Sequence, residues 1–263
     1  MPKRSAEAAG MRHTRRAFLA DMRRCGIVVG DKRNCKALLL AAADSLDVVS
    51  HLSDKSKMSS AMKKIRHSLL QRLPEKPLYF YGHRDRSCPH HIFSNFAPVA
   101  IVVGRDELIG VVRACLPHIP EFEEFAEGHE TLSFHSSEQI FMMLKALAML
   151  DGDAAVKIIQ CRTALQAKKL GREVSPWRQG VWNDVSFGCM LTSVRLKFRS
   201  GSNRETLLRT GARVLVEASP SDRKWGIGIG ISKAESGALW RGQNLLGAAL
   251  CVLRRELRAE LSQ

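Results

Sequence analysis

One short stretch of the sequence combines side chains that could take part in chemistry. In LVEASPSDRKWGIG, from Leu215 to Gly228, an apolar strand pattern leads into a polar loop that contains Glu217, Asp222 and Trp225. Carboxylates serve as acid/base groups, and a tryptophan ring offers a flat face to a heterocycle. The glycines that follow the tryptophan allow close approach of a ligand. The stretch predicts a ligand-binding loop at the end of a strand; the alternative is that Trp225 is a core residue beneath a loop.

A second candidate is HSSEQIFMMLKA, in which a glutamate and a lysine interrupt an otherwise apolar helical pattern. Ser136 is a typical N-cap residue, and Gln139 three positions later would complete a capping box. Glu138 would then lie in the first helical turn, where the partial positive charge of the helix end favours a carboxylate. Lys145 follows on the same face. Spacing alone also fits an alternative in which Glu138 is only a first-turn carboxylate and Lys145 only extends its amine to solvent.

The distribution of histidines limits the chemistry of the second half of the chain. All nine histidines lie at or before His135, so carboxylates are the natural acid/base groups beyond it. The chain has no G-x-S-x-G motif, and GIGIG lacks the spacing and context of a dinucleotide fingerprint. CPHH, at residues 88–91, lacks a second ligand pair, so a polar loop is favoured over zinc. We therefore expect no metal and no organic cofactor.

Positive charge is concentrated in the first 77 residues. They hold 17 Lys and Arg against 7 Asp and Glu, in a chain of 263 residues with net charge +15. A basic segment binds phosphates without sequence preference, so this extension is expected to contact nucleic acid. A solubilising or targeting extension is an equally good alternative. No membrane partner is expected, because no apolar run is long enough to cross a bilayer, and the sequence indicates no oligomeric state.

Seven cysteines are scattered along the chain without a C-x-x-C pair. An odd number without regular spacing favours free thiols over a disulfide framework. The expected location is therefore a reducing intracellular compartment, with the cytoplasm favoured over the nucleus or an organelle.

Hydrophobic periodicity and turn signals divide the chain into three parts. Residues 1–77 form the basic extension, disordered over 1–16 and helical in two later stretches, and PEKP at 74–77 marks a boundary. Residues 78–257 form the main domain, and residues 258–263 form a short tail. Strands are predicted at LYFYG, IFSNFAPVAIVVG and RVLVEAS. Helices are predicted at RDELIGVVRACLPHI, PEFEEFAEGHE, HSSEQIFMMLKALAML, GDAAVKIIQC, TALQAKKLGREV, DVSFGCMLTSVRLKFRS, RETLLRTG and NLLGAALCVLRRELRAEL. The fold class indicated is α+β and mostly helical, with a few strands.

Several short motifs occur in an order that resembles one family. They are FYG, FSNF, SSEQ followed by a lysine at 145, KKLGR, a tryptophan at 182, MLTSVRLKF, LLRTG, LVEASPSDRKWGIG and GQNLLGAAL. Together they resemble the NADAR or YbiA-like domain family over roughly Leu78 to Leu257. The resemblance implies a single YbiA-like domain preceded by the basic extension.

That resemblance implies an N-glycosidase, which cleaves the bond between C1′ of a ribose and a nitrogenous base or base-like amine. It implies two substrate classes, namely ribosylamino-pyrimidine phosphate intermediates of riboflavin biosynthesis and ADP-ribose attached to a nucleobase, notably guanine in nucleic acid. The expected partner is therefore a nucleotide-like small molecule or ADP-ribosylated nucleic acid. The transition state resembles an oxocarbenium ion, which a nearby carboxylate stabilises.

The resemblance also implies the site residues. Glu138 and Asp222 are the expected catalytic carboxylates, with Glu138 nearest the ribose. Six further residues are expected to bind the substrate by hydrogen bonding, stacking, phosphate contact or the shape of the wall: Asn95, Lys145, Trp182, Trp225, Gly226 and Asn244. Glu217 also matches the motif but could be structural, and Trp177 and Trp240 have weaker claims.

Two features depart from the family pattern. Ile140 occupies a position that is often aromatic, and residues 105–130 are longer than the turn typical of short members. The insertion is expected to form a lid or to alter substrate choice. The alternative to an enzyme is a nucleic-acid or protein interaction module that keeps the fold without activity, a role that the basic extension would suit.

Overall fold

The computed structural model describes His67 and residues 75–84, 89–116 and 120–262. The extension predicted at residues 1–77 therefore lies almost wholly outside the described residues, and so does Cys88. The chain divides into two compact units. Residues 98–116 and 120–197 are the described part of the first unit. Residues 75–84, 89–97 and 198–262, with His67, are the described part of the second.

Helices account for most of the described chain, which confirms the α+β, mostly helical fold class. The strands are β1 (Leu78–Phe80), β2 (Ile101–Gly104), β3 (Thr131–Phe134) and β4 (Leu215–Glu217). The α-helices are α1 (Arg105–Cys115), α2 (Pro120–Glu127), α3 (Ser137–Ala148), α4 (Gly152–Ile159), α5 (Ala164–Glu173), α6 (Gln179–Phe198), α7 (Gly201–Leu208), α8 (Ile231–Glu235) and α9 (Leu245–Leu261), and a 3-10 helix spans Pro89–Phe93. Within the described residues, no helix is long and apolar enough to cross a membrane.

The first unit is built around α3, in which every residue except Lys145 is buried. A helix that is apolar on all sides must be surrounded by neighbours, and here α4 and α5 pack against it. Strands β2 and β3 pair in antiparallel fashion, with Ile101 opposite Phe134 and Gly104 opposite Thr131.

Three successive helices of this unit begin at residues whose side chains suit a helix start. Each N-cap oxygen accepts a hydrogen bond from the backbone N–H three residues on, which satisfies a donor that the helix itself leaves without a partner. The pairs are Ser136 with Gln139 at 3.3 Å, Asp151 with Ala154 at 3.0 Å, and Thr163 with Gln166 at 3.2 Å. The local sequence therefore sets where α3, α4 and α5 begin.

The insertion expected between β2 and β3 consists of two helices, α1 and α2, which pack against each other. Arg113 of α1 donates two hydrogen bonds to the largely buried carboxylate of Glu123 in α2, from Nε at 3.1 Å and from Nη2 at 2.5 Å. Bidentate Arg–carboxylate pairs fix geometry as well as charge. The insertion is thus a paired-helix element, as the helical pattern predicted.

The second unit pairs β1 with β4 in parallel, with Leu78 opposite Leu215 and Phe80 opposite Glu217. Helix α9 packs directly on β4, and a Cβ added at Gly247 would lie 2.1 Å from the Leu215 carbonyl oxygen. Only glycine permits that approach. Apolar residues from β4 and from the segment after it form a buried cluster that comprises Val216, Ala218, Ile227, Ile229, Ala234 and Trp240.

The strand predicted over IFSNFAPVAIVVG is wrong for its first part. The chain forms a 3-10 helix at Pro89–Phe93 and a turn in which Ser94 Oγ accepts from the Phe96 N–H at 3.3 Å. Strand pairing starts only at Ile101. Asn95 and Pro98 disfavour a strand interior, and serine bonds readily to nearby backbone, so local turn chemistry prevails over apolar content here.

Helix α6 begins at Gln179, five positions before the predicted start at Asp184, and therefore includes Trp182. The first turn carries Gly180 and Asn183, which are weak helix formers, so its helical pattern is faint. The short helix Ile231–Glu235 was not predicted.

Candidate functional site

The predicted site residues divide between the two units. Glu138, Lys145 and Trp182 lie in the first unit, and the remaining five lie in the second: Asn95, Asp222, Trp225, Gly226 and Asn244. Each group has its own supporting structure.

In the first unit, Glu138 is the second residue of α3, and only 6% of it is exposed. A carboxylate is costly to bury. The helix N-terminus supplies partial positive charge at this position, which offsets part of that cost. Glu138 is thus a buried acidic group at the helix end where the sequence predicted it.

Gln139 fixes the chain on both sides of Glu138, although not through the predicted capping box. Its Oε1 accepts from the His135 N–H at 2.8 Å, whereas a capping box would require the N–H of Ser136. Its Nε2 donates to carbonyl oxygens near the end of α4, which are those of Ile158 at 3.0 Å, Ile159 at 2.8 Å and Cys161 at 2.9 Å. The fully buried amide therefore joins the start of α3 to the end of α4, and this holds the backbone beside Glu138 rigid.

A row of aromatic rings begins on α3, after Glu138. Phe141 lies one turn further on, and its ring centroid is 5.4 Å from that of Trp182. Trp182 in turn lies 6.0 Å from Trp177. We call Phe141, Trp182 and Trp177 the aromatic row. Trp182 is 7% exposed and Trp177 is 45% exposed, so the row runs from the buried interior to the surface.

Lys145 stands at the outer end of this row. Its Nζ lies 4.7 Å from the Trp177 ring centroid and 5.8 Å from that of Trp182, both within cation–π range. The ammonium also donates to the Gly171 carbonyl oxygen in the last turn of α5, where the helix lacks its own donors. A Cβ at Gly171 would lie 2.2 Å from Met142 Sδ, so glycine is needed for α5 to come this close to α3. Lys145 was predicted to orient Glu138 or to bind phosphate, and the contacts seen here tie it to α5 and to two indole rings.

The second unit carries the loop that follows β4. Asp222 Oδ1 accepts from the backbone N–H groups of Lys224 and Trp225, both at 2.8 Å. The Asp222 N–H donates to Ser219 Oγ at 3.2 Å. This side chain closes a tight turn by bonding its own backbone two and three residues on. Asp222 therefore sets the position of Trp225, whose ring is partly exposed and lies 5.5 Å from Lys224 Nζ.

The backbone of this loop is held by the start of α9. Four successive N–H groups at 243–246 donate to four carbonyl oxygens at 223–226, in the pairs Gln243–Arg223, Asn244–Gly226, Leu245–Lys224 and Leu246–Trp225, at 2.9–3.2 Å. The N-terminus of a helix often binds anions because these donors lack partners. In α9 the loop carbonyls take that place, so this helix end positions Trp225.

The glycines of GIGIG were expected to let a ligand approach closely. A Cβ at Gly226 would lie 2.9 Å from the Glu217 carbonyl oxygen and 2.9 Å from Ser219 Cβ. A Cβ at Gly242 would lie 2.2 Å from the Gly226 carbonyl oxygen. At Gly226 the approach is therefore made by the chain's own residues, whereas a Cβ at Gly230 would meet nothing within 4 Å. Gly242, which lies outside the motif, packs on the Gly226 carbonyl.

Asn244 was expected to contact the substrate, but both ends of its side-chain amide bind β4. Oδ1 accepts from the Glu217 N–H at 2.9 Å, and Nδ2 donates to the Leu215 carbonyl oxygen at 2.9 Å. Asn244 adopts a left-handed conformation, with φ +64°, and only 2% of it is exposed. Its observed role is to extend the hydrogen bonding of β4, which makes it structural.

The other candidates of this unit differ in burial. Asn95 is 6% exposed and lies in the turn after the 3-10 helix. Glu217 is buried at the end of β4. Trp240 belongs to the apolar cluster of this unit, which accounts for it as a core residue.

In the described part of the chain, the cysteines and the possible metal ligands give little indication of chemistry. Burial raises the pKa of the Cys161 thiol, which disfavours the nucleophilic thiolate. Within residues 75–84, 89–116 and 120–262, no group of three or more His, Cys, Asp or Glu is placed to hold a metal ion. Carboxylates and aromatic rings are thus the chemically informative side chains here.

The mostly helical α+β fold and the buried acidic group at the start of α3 define the kind of protein, and comparison with known proteins gives the family. The NADAR domain matches residues 79–258. The chain belongs to the NADAR domain family.

Relatives and a solved structure agree with that assignment. The chain is 32% identical over 185 residues to an N-glycosidase of Acanthamoeba polyphaga mimivirus, which covers 69% of this chain and 96% of that protein. It is 33% identical over 126 residues to an N-glycosidase of Nostoc punctiforme, which covers 48% and 75%. The NMR structure of Escherichia coli YbiA superposes with a TM-score of 0.51 at 26% identity, covering 74% of this chain and 94% of YbiA. The predicted resemblance to NADAR and YbiA is confirmed.

Proposed function

We propose that this chain is an N-glycosidase that hydrolyses the C1′–N bond of a ribosylated base, with Glu138 as the carboxylate beside the ribose. A hydrolase of N-glycosidic bonds is the activity that two relatives carry in their names, and it is the class that the sequence predicted. The observation that carries the assignment of Glu138 is its place as a buried carboxylate at the start of α3, one turn before Phe141 of the aromatic row.

The reaction requires few parts. The C1′–N bond breaks, its electron pair leaves with the nitrogen, and positive charge develops on C1′ and the ring oxygen. A nearby carboxylate stabilises that charge or accepts a proton from the attacking water. The water oxygen bonds to C1′, and the departing nitrogen gains a proton. Glu138 in a largely dehydrated position would act more strongly than a carboxylate in water.

The aromatic rings have a separate role in this proposal. In this proposal, the Trp182 ring contacts the leaving base beside Glu138. Trp182 is suited to that role because its ring packs on Phe141, which lies one turn after Glu138 on α3. In the second unit, Trp225 presents a partly exposed ring from a loop whose backbone is fixed. We assign ligand binding to Trp225 and assign Asp222 the positioning of that ring, in place of an equal share in the chemistry.

Two substrate classes are proposed for this activity: ADP-ribose linked to guanine in nucleic acid, and ribosylamino-pyrimidine phosphate. Both offer a ribose joined through C1′ to nitrogen, with phosphate nearby. The test is a paired hydrolysis assay of the wild-type protein on a guanine-ADP-ribosylated oligonucleotide and on the ribosylamino-pyrimidine phosphate, followed by mass spectrometry. Release of ADP-ribose or of ribose phosphate identifies the substrate. Folded protein that is inactive on both would favour an interaction module over an enzyme.

A further inference from the structure

Trp177 is a surface indole that the fold holds unusually firmly. The residue is 45% exposed, yet its ring N–H donates to Gln179 Oε1 at 3.2 Å. Gln179 is itself oriented, because its Nε2 donates to Asn183 Oδ1 at 2.7 Å. A hydrogen bond to the indole nitrogen fixes the rotation of the ring, so this exposed aromatic is pre-organised.

The backbone on both sides of Trp177 is also anchored. The Ser175 N–H donates to Asp151 Oδ2 at 2.9 Å, and the Arg178 N–H donates to Met149 Sδ at 3.3 Å. Asp151 caps α4 with its other oxygen. Both anchoring residues thus lie in the short connection between α3 and α4, where Met149 ends one helix and Asp151 caps the next.

The cation beneath the ring determines which surface remains for a ligand. Lys145 Nζ lies 4.7 Å from the ring centroid and is also bound to the Gly171 carbonyl oxygen, so it occupies one face of Trp177. A ligand would therefore stack on the opposite face. A cation on one face draws electron density from the ring, which favours an electron-rich partner such as a purine on the other.

The place of Trp177 at the outer end of the aromatic row favours a neighbouring base, and not the base at the scissile bond, as its partner. Lys145 lies seven residues after Glu138 on α3, which is about 10.5 Å along a helix that rises 1.5 Å per residue. In the proposed function, the base bonded to the ribose beside Glu138 contacts Trp182. Trp177 lies a further 6.0 Å from Trp182, which exceeds the rise of about 3.4 Å between stacked bases. A neighbouring base splayed from its stack would reach the exposed face of Trp177.

We propose that Trp177 is a specificity-determining residue that stacks on the nucleotide next to the modified base, and that it directs this N-glycosidase to nucleic acid in preference to a free nucleotide. The role of Trp177 rests on the proposed function where it is tested by catalysis. Stacking on one exposed ring is sequence-tolerant, so a base of any kind in the neighbouring position suffices, with purines binding better.

The test compares the full-length wild type with Trp177→Ala, Trp177→Phe and Leu165→Ala at about 0.15 M salt, where non-specific phosphate contacts are partly screened. Leu165 is 70% exposed in the same unit and serves as the matched control for the loss of a surface apolar group. Three substrates are used: a single-stranded oligonucleotide with one ADP-ribosylated guanine, the same strand with abasic neighbours, and the ADP-ribosylated mononucleotide.

Trp177→Ala should raise KM for the complete strand by about 5- to 100-fold with little change in kcat. It should leave the mononucleotide and the abasic strand unchanged, and Trp177→Phe should recover most of the loss. Unchanged KM on the complete strand, or an equal loss on the mononucleotide, would overturn the proposal. Thermal unfolding identifies a variant that is merely unstable.

Binding of an unmodified single strand, measured by fluorescence anisotropy, separates this proposal from the catalytic one. Trp177→Ala should weaken that binding by a similar factor even if no substrate is cleaved. A wild type that cleaves nothing but binds the strand through Trp177 would remove the proposed function and keep the stacking role. Equal binding by the wild type and Trp177→Ala would remove the stacking role.

Discussion

The loop after β4 and helix α3 both match the family motif, but their residues make different kinds of contact. The loop has the longer motif, yet its Asp222 and Gly226 bond to backbone, and Asn244, which lies before α9, bonds to β4. Helix α3 has only a few polar residues, yet its side chains contact α5 and the segment before α6. A long sequence motif can therefore reflect the requirements of a tightly bonded backbone, whereas a short motif can contain the residues that take part in the chemistry.

The largest expected effect in this comparison is on stability and concerns Asn244. Asn244→Ala removes two buried hydrogen bonds to β4 and places a Cβ-bearing residue without a polar side chain at φ +64°. We expect a loss of about 2–4 kcal/mol in the free energy of unfolding, measured by denaturant titration. Asn244→Gly keeps the left-handed conformation and separates strain from lost bonds. A melting curve for Asn244→Ala that matches the wild type would contradict the structural role.

Asp222 gives the next largest effect and bears directly on the division between positioning and chemistry. Asp222→Ala leaves two backbone N–H groups of the turn without their acceptor, and we expect a loss of about 1–2 kcal/mol and weaker substrate binding. Asp222→Asn keeps an oxygen acceptor and should retain the turn, with kcat within about tenfold of the wild type. The tryptophan fluorescence spectrum checks whether the environment of Trp225 has changed.

Lys145 is expected to give the smallest effect of the three. Lys145→Met keeps the aliphatic stem but removes the cation–π contact with Trp177 and the hydrogen bond to the Gly171 carbonyl oxygen. The expected cost is about 1 kcal/mol of unfolding free energy, with a larger effect on KM than on kcat. Lys145→Arg retains charge and stacking and should behave like the wild type. If Lys145→Met instead lost kcat as completely as a Glu138 variant, Lys145 would belong to the reacting groups.

Much of the fold follows from local sequence. Ser136 was predicted as an N-cap and is one, because its hydroxyl needs only a donor three residues away. The prediction for Gln139 was wrong for the same reason, because it considered only local spacing and expected the amide to bond to Ser136. Its partners lie 19 to 22 residues further along the chain, at the end of α4. Only the packing of α3 against α4 brings those carbonyls within reach, and no local spacing encodes it.

The candidate site was predictable to a similar degree. The position of Glu138 in the first turn of α3 followed from its cap. The glycines after Trp225 were predicted to admit a ligand, since the sequence shows only that close approach is allowed and not by what. The aromatic row was not predicted, because Trp177 had no motif and the first turn of α6 had little helical pattern. Two tryptophans five positions apart before a long helix were the available signal.

The most direct test of the account compares kcat for Glu138→Gln and Asp222→Asn, side by side, on whichever ribosylated base the wild type cleaves. Both substitutions remove one negative charge and preserve shape, so they differ only in the role of the carboxylate. The account predicts that Glu138→Gln lowers kcat by about 10²–10⁴-fold, the usual range for a general acid/base group, and that Asp222→Asn stays within about tenfold. Equal losses in the two variants, or an active Glu138→Gln, would contradict the assignment of the chemistry to Glu138.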